Sequence, residues 1–273
     1  MQASFLWVEP VGTLGGIVRE AMLRARTLES GLRALENKCD VTSSGASLRA
    51  ALRQPTVGLL TEIKRKSPSR GAIAPELDAI RQARAYAAGG AAGISVLTEP
   101  NHFGGSIDDL TAVIREAGLP VLKKDFHVAP IQIIEARSLG ASAALLIVRA
   151  VSPTRFVEMM RLANELRLEL LVEVRDEAEL ERALAEGATM IGVNNRNLET
   201  LVIDPATAER LIPMIPAHVV AVAESGVKTR ADVERYAAVG ADAVLVGSSL
   251  SAATDPVAAT RALGGVQRSD RAR

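Results

Sequence analysis

The sequence predicts an α/β protein in which short parallel strands alternate with helices. The main observation is a repeat. Gly90, Gly140, Gly187 and Gly240, spaced by roughly 50 residues, each end a helix-like stretch and precede a short apolar run. Glycine in this position suits a left-handed helix C-cap that leads into a strand. The segments concerned are "GGAAGISVL", "LGASAALLIV", "EGATMIGVN" and "VGADAVLVG".

A second set of apolar runs lies between these segments and completes eight strand-and-helix units. They are "VGLLTEI", "PVLKKDF", "LELLVEV" and "HVVAVAES". Alternation of strands and helices is typical of a parallel sheet with helices outside it. Eight units of about 25 residues predict a (β/α)8 TIM barrel. The alternative is a doubly wound open sheet, which would not require eight even units, and no G-x-G-x-x-G motif follows any strand.

The ends of the chain are predicted to belong to the same domain, residues 1–273. Residues 1–52 precede the first strand and include "LGGIVREAMLRARTLESGLRALE", whose apolar positions are spaced by three and four. This spacing predicts one or two helices packed on the barrel as an N-terminal extension. The polar tail, residues 264–273, is expected to be frayed.

Composition argues against several classes of partner. The 32 basic and 32 acidic residues give a formal net charge of +0, which provides no basic footprint for nucleic acid. No apolar run approaches the roughly 20 residues that span a bilayer. The single cysteine, Cys39, rules out an internal disulfide and fits a reducing compartment. The N-terminus has no basic start and is interrupted by Glu9 and Pro10, so it does not resemble a secretory signal and we expect a cytoplasmic protein. No long apolar surface helix is evident in the sequence, so we expect a monomer.

Polar residues stand where the predicted strands end, which is where barrel enzymes carry their catalytic groups. Glu62 and Lys64 lie two residues apart and therefore on one face of the first strand. From the third strand to the eighth, the corresponding residues are Lys124 and Phe126, Glu173, Asn194 and Arg196, Glu224 and Ser225, and Gly247 and Ser248. Carboxylates and ammonium groups that converge at one barrel mouth predict acid–base chemistry near pH 7.

The last two strands predict a phosphate site. Ser225 and Gly226 end the seventh strand, and Gly247 and Ser248 end the eighth. Small residues let backbone N–H groups approach an anion at this place in a barrel. His102 is expected to be a solvated loop residue, and His127 and His218 have no metal-ligand spacing around them, so no metal site is predicted.

Seven stretches together resemble the indole-3-glycerol phosphate synthase family of tryptophan biosynthesis. They are "TEIKRKSPSRG", "ISVLTEPNHFGGS", "PVLKKDF", "LVEVRDEAELERAL", "IGVNNRNLET", "VAESGVKT" and "VLVGSSL". The resemblance implies a (β/α)8 barrel that acts on an anthranilate amine joined to a deoxyribulose 5-phosphate. It implies ring closure with loss of carbon dioxide and then water, without a metal or an organic cofactor.

The resemblance also implies roles for the residues at the strand ends. Lys124 is the expected general acid at the substrate carbonyl, and Glu173 is its partner carboxylate. Lys64 and Glu62 are the expected second acid–base pair, for decarboxylation and dehydration. Which lysine acts at which stage stays open. The implied substrate-binding residues are Ser67, Phe103, Phe126, Asn194, Arg196 and Glu224, with Arg196 near the carboxylate and both phenylalanines as walls for the ring. The implied phosphate clamp is Ser225, Gly226, Gly247 and Ser248.

Two positions depart from the family pattern: His102, where tyrosine is common, and His127, where an aliphatic residue is usual. Both departures bear on affinity or loop packing rather than on the reaction.

Two other functions remain open at this point. One is another enzyme on a phosphate-binding barrel, such as a sugar-phosphate isomerase or a Schiff-base aldolase. The isomerase would require a Cys/Asp or Asp/Asp pair at the strand ends, but the single cysteine, Cys39, lies outside the predicted barrel. The aldolase would form a covalent bond to its substrate through one lysine. The other is a barrel that only binds phosphate ligands or a partner protein.

Overall fold

A computed structural model describes residues 7–43 and 45–271 and has the predicted barrel. Over these ranges, eight parallel strands form a closed barrel in which each strand pairs with the next and the eighth pairs with the first. The strands are Gly58–Ile63, Gly93–Leu97, Val121–Lys124, Ala143–Ile147, Glu169–Val174, Met190–Asn194, Val220–Glu224 and Ala243–Val246. The closed sheet confirms the barrel and rejects the doubly wound alternative.

The strands are rich in Val, Ile, Leu and Ala because both of their faces are covered. Side chains that point inward fill the barrel, and those that point outward meet the helices. The first strand is buried along its whole length, and the pairing of Glu62 with Ser95 sets its register against the second strand. A buried carboxylate at the end of such a strand needs a partner or a function.

Helices follow each strand and surround the sheet. The major ones are Ala79–Ala88, Ile107–Glu116, Pro130–Ser138, Pro153–Glu165, Glu177–Ala185, Ala206–Leu211, Arg230–Ala238 and Pro256–Leu263. Short helices occupy Pro100–Phe103 and Ser248–Ser251, and 3-10 turns occupy Glu29–Gly31, Val148–Ala150 and Ile212–Met214. Gly90, Gly140, Gly187 and Gly240 have φ of 94°, 84°, 77° and 89°, which confirms the left-handed helix ends.

The N-terminal extension forms the helices Gly12–Leu28, Leu32–Val41 and Leu48–Leu52. The first of them buries Leu14, Ile17, Ala21 and Ala25, which recur every three or four residues and so share one face. Its Arg24 is paired with carboxylates of the barrel loops. Thr13 and Ile17 also line the pocket described below, so this helix is part of the wall of the barrel mouth.

The tail differs from the expected frayed segment over residues 264–271. The Val57 N–H donates to the Val266 carbonyl at 2.8 Å, and Arg271 is 9% exposed. The Arg271 guanidinium lies 2.8 Å from the buried carboxylate of Asp242. A polar sequence can still be ordered when it supplies the cation that a buried acid requires. Residues 272–273 lie outside the described residues.

A small hairpin in the loop after the first strand was not predicted. Lys66–Ser67 pairs with Gly71–Ala72 in antiparallel fashion, and the turn between them faces the barrel mouth. No helix of the described ranges has the length and apolar character needed to cross a membrane.

Candidate active site

The residues predicted from the strand ends and from the resemblance all line one pocket at the carboxyl end of the barrel. They are Glu62, Lys64, Ser67, Phe103, Lys124, Phe126, Glu173, Asn194, Arg196, Glu224, Ser225, Gly226, Gly247 and Ser248. Because the strands are parallel, their carboxyl ends meet at one rim and bring residues that are far apart in sequence together.

Lys124 lies at the centre of a cluster of carboxylates. Its Nζ donates to Glu224 Oε2 at 2.8 Å and to Glu173 Oε2 at 3.2 Å. The other oxygen of Glu173, Oε1, accepts from the side-chain amide of Asn194 at 2.8 Å. The two acceptors, Glu173 and Glu224, come from different strands. Together they fix the position of the Lys124 ammonium group.

The electrostatics keep Lys124 protonated. Burial acts to lower the pKa of its ammonium, but the carboxylates of Glu224, Glu173 and Glu62 act in the opposite direction and prevail. The net effect raises the pKa of Lys124 above its ordinary value. The group is therefore an ammonium at neutral pH, which makes it a hydrogen-bond donor and a source of positive charge.

Glu224 is the most perturbed carboxylate of the cluster. Burial raises the pKa of Glu224, Lys124 lowers it, and Glu173 and Glu62 raise it, with a net pKa of about 7. Its Oε1 has no hydrogen-bond partner within the described part of the chain. A side chain at Gly192 would collide with this oxygen, so glycine there is required for space. Glu224 can therefore gain or lose a proton near neutral pH, a property that the sequence did not predict.

Glu62 and Lys64, the predicted second acid–base pair, are in contact. Lys64 Nζ lies 2.6 Å from Glu62 Oε1, and Glu62 is 2% exposed. A side chain at Gly247 would collide with Glu62 Oε1, so this glycine makes room for the carboxylate. Lys64 Nζ also lies 5.7 Å from the centre of the Phe103 ring, within cation–π range. The spacing of two along the strand thus produces a contact pair that faces the pocket.

Aromatic and aliphatic side chains form the apolar wall. The rings of Phe103 and Phe126 have centroids 5.9 Å apart and are tilted by 36°. The sequence prediction missed the aliphatic part of this wall, which comprises Leu97, Leu145, Ile147, Leu198, Leu201, Ile203 and Leu245. In the sequence, an apolar residue that faces the pocket gives the same pattern as one that fills the barrel interior, so the two cannot be distinguished.

The predicted phosphate rim lies at the ends of the seventh and eighth strands. Ser225 has φ of 66° and Gly226 has φ of 91°, so two successive residues are left-handed. A left-handed residue other than glycine is strained, and such strain clusters at functional sites. Lys228 and Ser249 also line this part of the pocket, and neither was predicted. A cation beside small residues suits an anion such as phosphate.

Both histidines that depart from the family pattern form side-chain hydrogen bonds. His102 Nε2 lies 3.1 Å from Glu20 Oε1. His127 is buried, with Nε2 3.2 Å from Lys123 Nζ and Nδ1 2.6 Å from the Leu145 carbonyl oxygen. Burial lowers the pKa of His127 to about 3, and Lys123 lowers it further, so the ring is neutral at physiological pH. It therefore accepts from Lys123 and donates to Leu145.

One cluster of the described residues has the spacing of metal ligands. Atoms of Glu20, Glu99 and His102 lie within 4.8 Å of one another. However, the Glu99 carboxylate accepts the backbone N–H groups of Asn101, His102 and Phe103. Its oxygens are thus used in capping the short helix, and the cluster is explained without an ion.

Comparison with known proteins identifies close relatives. The family model for Indole-3-glycerol phosphate synthase matches residues 17–263. An indole-3-glycerol phosphate synthase from Parafrankia sp. (strain EAN1pec) is 46% identical over 236 residues, which cover 86% of this chain and 88% of the relative. The enzyme of the same name from Mycobacteroides abscessus is 46% identical over 238 residues, 87% of this chain and 85% of the relative.

Solved structures that resemble the chain at low identity show the fold alone. Thiamine phosphate pyrophosphorylase from Pyrococcus furiosus superposes with a TM-score of 0.57 at 17% identity, covering 80% of this chain and 96% of that one. The 3-hexulose-6-phosphate synthase from Salmonella typhimurium gives a TM-score of 0.59 at 16% identity, with 76% and 96% covered.

Proposed function

Because the chain belongs to the indole-3-glycerol phosphate synthase family, we propose that its barrel mouth converts 1-(2-carboxyphenylamino)-1-deoxyribulose 5-phosphate to indole-3-glycerol phosphate by lysine and glutamate acid–base catalysis. The chain is accordingly a decarboxylating carbon–carbon lyase of tryptophan biosynthesis. This membership favours the synthase over the isomerase, aldolase and binding-only alternatives. The observation that carries the residue assignment is the Lys124 ammonium held between Glu173 and Glu224.

Ring closure is assigned to Lys124. In this step the ring carbon that bears the carboxylate attacks the ketone carbon, and the ketone oxygen becomes basic and needs a proton. The Lys124 ammonium supplies that proton and stabilises the developing charge. Glu173 and the ionised form of Glu224 keep the lysine charged in a largely buried site. Loss of carbon dioxide then restores the aromatic ring.

Dehydration is assigned to the second pair. The hydroxyl group formed in ring closure leaves as water and needs a proton, while the adjacent carbon loses one to a base. Lys64 and Glu62, at 2.6 Å, are an acid and a base of this kind in one contact. The second strand separates Glu62 from Lys124, and each lysine has its own glutamate contacts, which supports a division of labour in which each lysine serves one stage.

The rest of the pocket is assigned to substrate binding. Ser225, Gly226, Gly247 and Ser248 hold the phosphate, and Ser67, Asn194 and Arg196 orient the other end of the substrate. Phe103 and Phe126 contact the aromatic ring. Binding of the phosphate at the rim supplies orientation at the reacting centre, which is how remote contacts raise the rate of a chemical step.

Indole fluorescence on mixing protein and substrate tests the assignment. We expect turnover by the unaltered protein and a loss of about a thousandfold or more in Lys124→Ala, because a positioned acid contributes on this scale. Lys38→Ala, on the exposed side of the helix Leu32–Val41, is the matched control and should keep full activity. Turnover that survives Lys124→Ala would transfer the acid role in ring closure to Lys64.

The wider setting is proposed on the composition of the chain. We expect a single-domain cytoplasmic monomer without nucleic-acid or membrane partners, supported by the net charge of +0 and the lone cysteine. Light scattering coupled to size-exclusion chromatography measures the mass directly. A mass twice the 28.8 kDa of the chain would contradict the monomer.

A further inference from the structure

Arg70 stands at the tip of the loop hairpin and lines the pocket, although neither sequence pattern nor resemblance assigned it a role. The hairpin is built as a fixed arm. Lys66 pairs with Ala72 and Ser67 with Gly71, and the Arg70 N–H donates to the Ser67 carbonyl at 3.2 Å. Gly71 has φ of 67°, the left-handed conformation that closes such a turn. The backbone of Arg70 therefore has a defined place over the barrel mouth.

The base of this arm is anchored to neighbouring elements. The carbonyl oxygen of Arg65 accepts from the N–H groups of Ile73 and Ala74 at 2.8 and 3.0 Å. The Arg65 guanidinium donates to Asp109 Oδ1 at 3.1 Å and to the Leu77 carbonyl at 2.9 Å. The base of the hairpin is therefore held both by its backbone and by the Arg65 side chain.

Two guanidinium groups at the pocket lack an acidic partner. Among the described residues, Arg70 and Arg196 form no ion pair, whereas Lys64 and Lys124 are each paired with glutamates. Arg196 is held instead by the Leu201 carbonyl oxygen at 2.7 Å. Burial lowers the pKa of Arg196, and the charge of Arg70 lowers it further, so the two cations are close enough to repel each other. Like charges that share a cavity are relieved by a bound anion.

The position of Arg196 indicates which anion this is. The Arg196 N–H donates to Asn194 Oδ1 at 2.9 Å, and the Asn194 amide donates to Glu173 Oε1, so Arg196 is placed next to the Lys124–Glu173 pair. The carboxylate of the substrate is attached to the carbon that attacks the ketone and must therefore sit near this centre. The phosphate is assigned to the ends of the seventh and eighth strands, where Ser225, Gly226 and Lys228 lie.

We propose that Arg70 is a second anchor for the substrate carboxylate, acting with Arg196 from the tip of the loop hairpin. This inference rests on the function proposed above. Because Arg70 is exposed, the contact is screened by solvent and is expected to contribute about tenfold in affinity. The carboxylate keeps its charge during ring closure, so the contact is equally strong in the bound substrate and in the transition state of that step. Arg70 is thus expected to lower KM and to leave kcat nearly unchanged.

Binding of two stable ligands tests the anchor. The first is the alcohol obtained by borohydride reduction of the substrate ketone, and the second is the same alcohol without the ring carboxylate. We expect Arg70→Ala to weaken calorimetric binding of the first ligand about tenfold and to leave binding of the second within about twofold. Arg70→Lys should retain part of the affinity, since it keeps the charge and loses the planar fork.

Lys228→Ala is the matched control, because it removes a cation from the phosphate side of the same pocket and should weaken both ligands equally. Equal weakening of both ligands by Arg70→Ala would assign Arg70 to the phosphate and overturn the proposal. Unchanged binding of both ligands would overturn it as well. If the unaltered protein binds the carboxylated ligand but never turns over the substrate, the proposed function fails while the ligand comparison still decides the role of Arg70.

Discussion

At the scale of single residues, the site depends on glycines that make room for buried carboxylates. Gly192 leaves space for Glu224 Oε1, and Gly247 leaves space for Glu62 Oε1. The two acids are each 2% exposed, and a carboxylate this deeply buried is kept only with a partner or a purpose. Their lysine partners satisfy that condition, and the burial itself moves the pKa of Glu224 to about 7.

Replacement of Glu224 by Gln is expected to change the pH dependence of the reaction. In the unaltered protein, Glu224 loses its proton as the pH rises through about 7 and then supports the charge of Lys124, so kcat/KM should rise through this range. Lys124 stays protonated well above it, since its pKa is raised. Glu224→Gln should lower kcat/KM at least tenfold and remove the rise near pH 7.

The measurement is a pH–rate profile of kcat/KM from pH 5 to about 9. The matched variant is Glu209→Gln, an acid on the outer surface of the barrel that is paired with Arg235, and its profile should equal that of the unaltered protein. Persistence of the rise near pH 7 in Glu224→Gln would show that another group titrates there.

At the scale of elements, Arg24 of the N-terminal helix contacts two loops of the barrel mouth. Arg24 donates to Asp125 Oδ1 at 2.7 Å and to Glu99 Oε1 at 3.3 Å. Asp125 directly follows Lys124, and Glu99 caps the short helix that carries Phe103. The helix thus braces two loops that supply residues to the pocket.

Removal of the Arg24 side chain is expected to lower the stability of the protein. Arg24→Ala leaves the buried carboxylates of Asp125 and Glu99 without their shared cation, and the free energy of unfolding should fall by about 2 kcal/mol. Arg26→Ala, exposed on the same helix, is the control and should stay within about 0.5 kcal/mol of the unaltered protein. Urea denaturation measures both variants. Equal stability of the two would show that the helix is held by its apolar face alone.

At the scale of the whole molecule, the pocket and the C-terminal tail lie at opposite ends of the barrel. The pocket is at the carboxyl ends of the strands, whereas the tail packs below the amino ends. There the Asp242 carboxylate accepts the Ala221 N–H at 2.8 Å and is paired with Arg268 and Arg271. This division is the usual one in (β/α)8 barrels.

Removal of the Arg271 side chain is expected to separate the two properties. Arg271→Ala breaks a buried ion pair and should lower the free energy of unfolding by about 3 kcal/mol. It should leave kcat/KM within about twofold, because Arg271 contacts Gly240, Val219 and Asp242, which do not line the pocket. Denaturation and steady-state kinetics on the same preparation check both statements. Asp270→Ala, an exposed neighbour, is the control. A large loss of kcat/KM in Arg271→Ala would show that the two ends are coupled.

The sequence was sufficient for the fold and for most of the polar site. Strand and helix periodicity, together with glycine at each helix end, is a local property of the chain, so the eight units could be counted directly. Parallel strands bring their carboxyl ends together, so the polar residues there, such as Lys124 and Glu173, could be assigned to one pocket before any coordinates were known.

Only the tertiary structure decided which of these groups touch and how they ionise. The bond from Lys124 to Glu224, the space that Gly192 leaves and the pKa of Glu224 near 7 all depend on atoms that are distant in sequence. The same holds for Arg70, which a short hairpin carries to the pocket, and for the tail, whose polar composition suggested fraying. Periodicity reports which side of an element is buried, whereas charge pairing and desolvation act through space and appear only once the chain is folded.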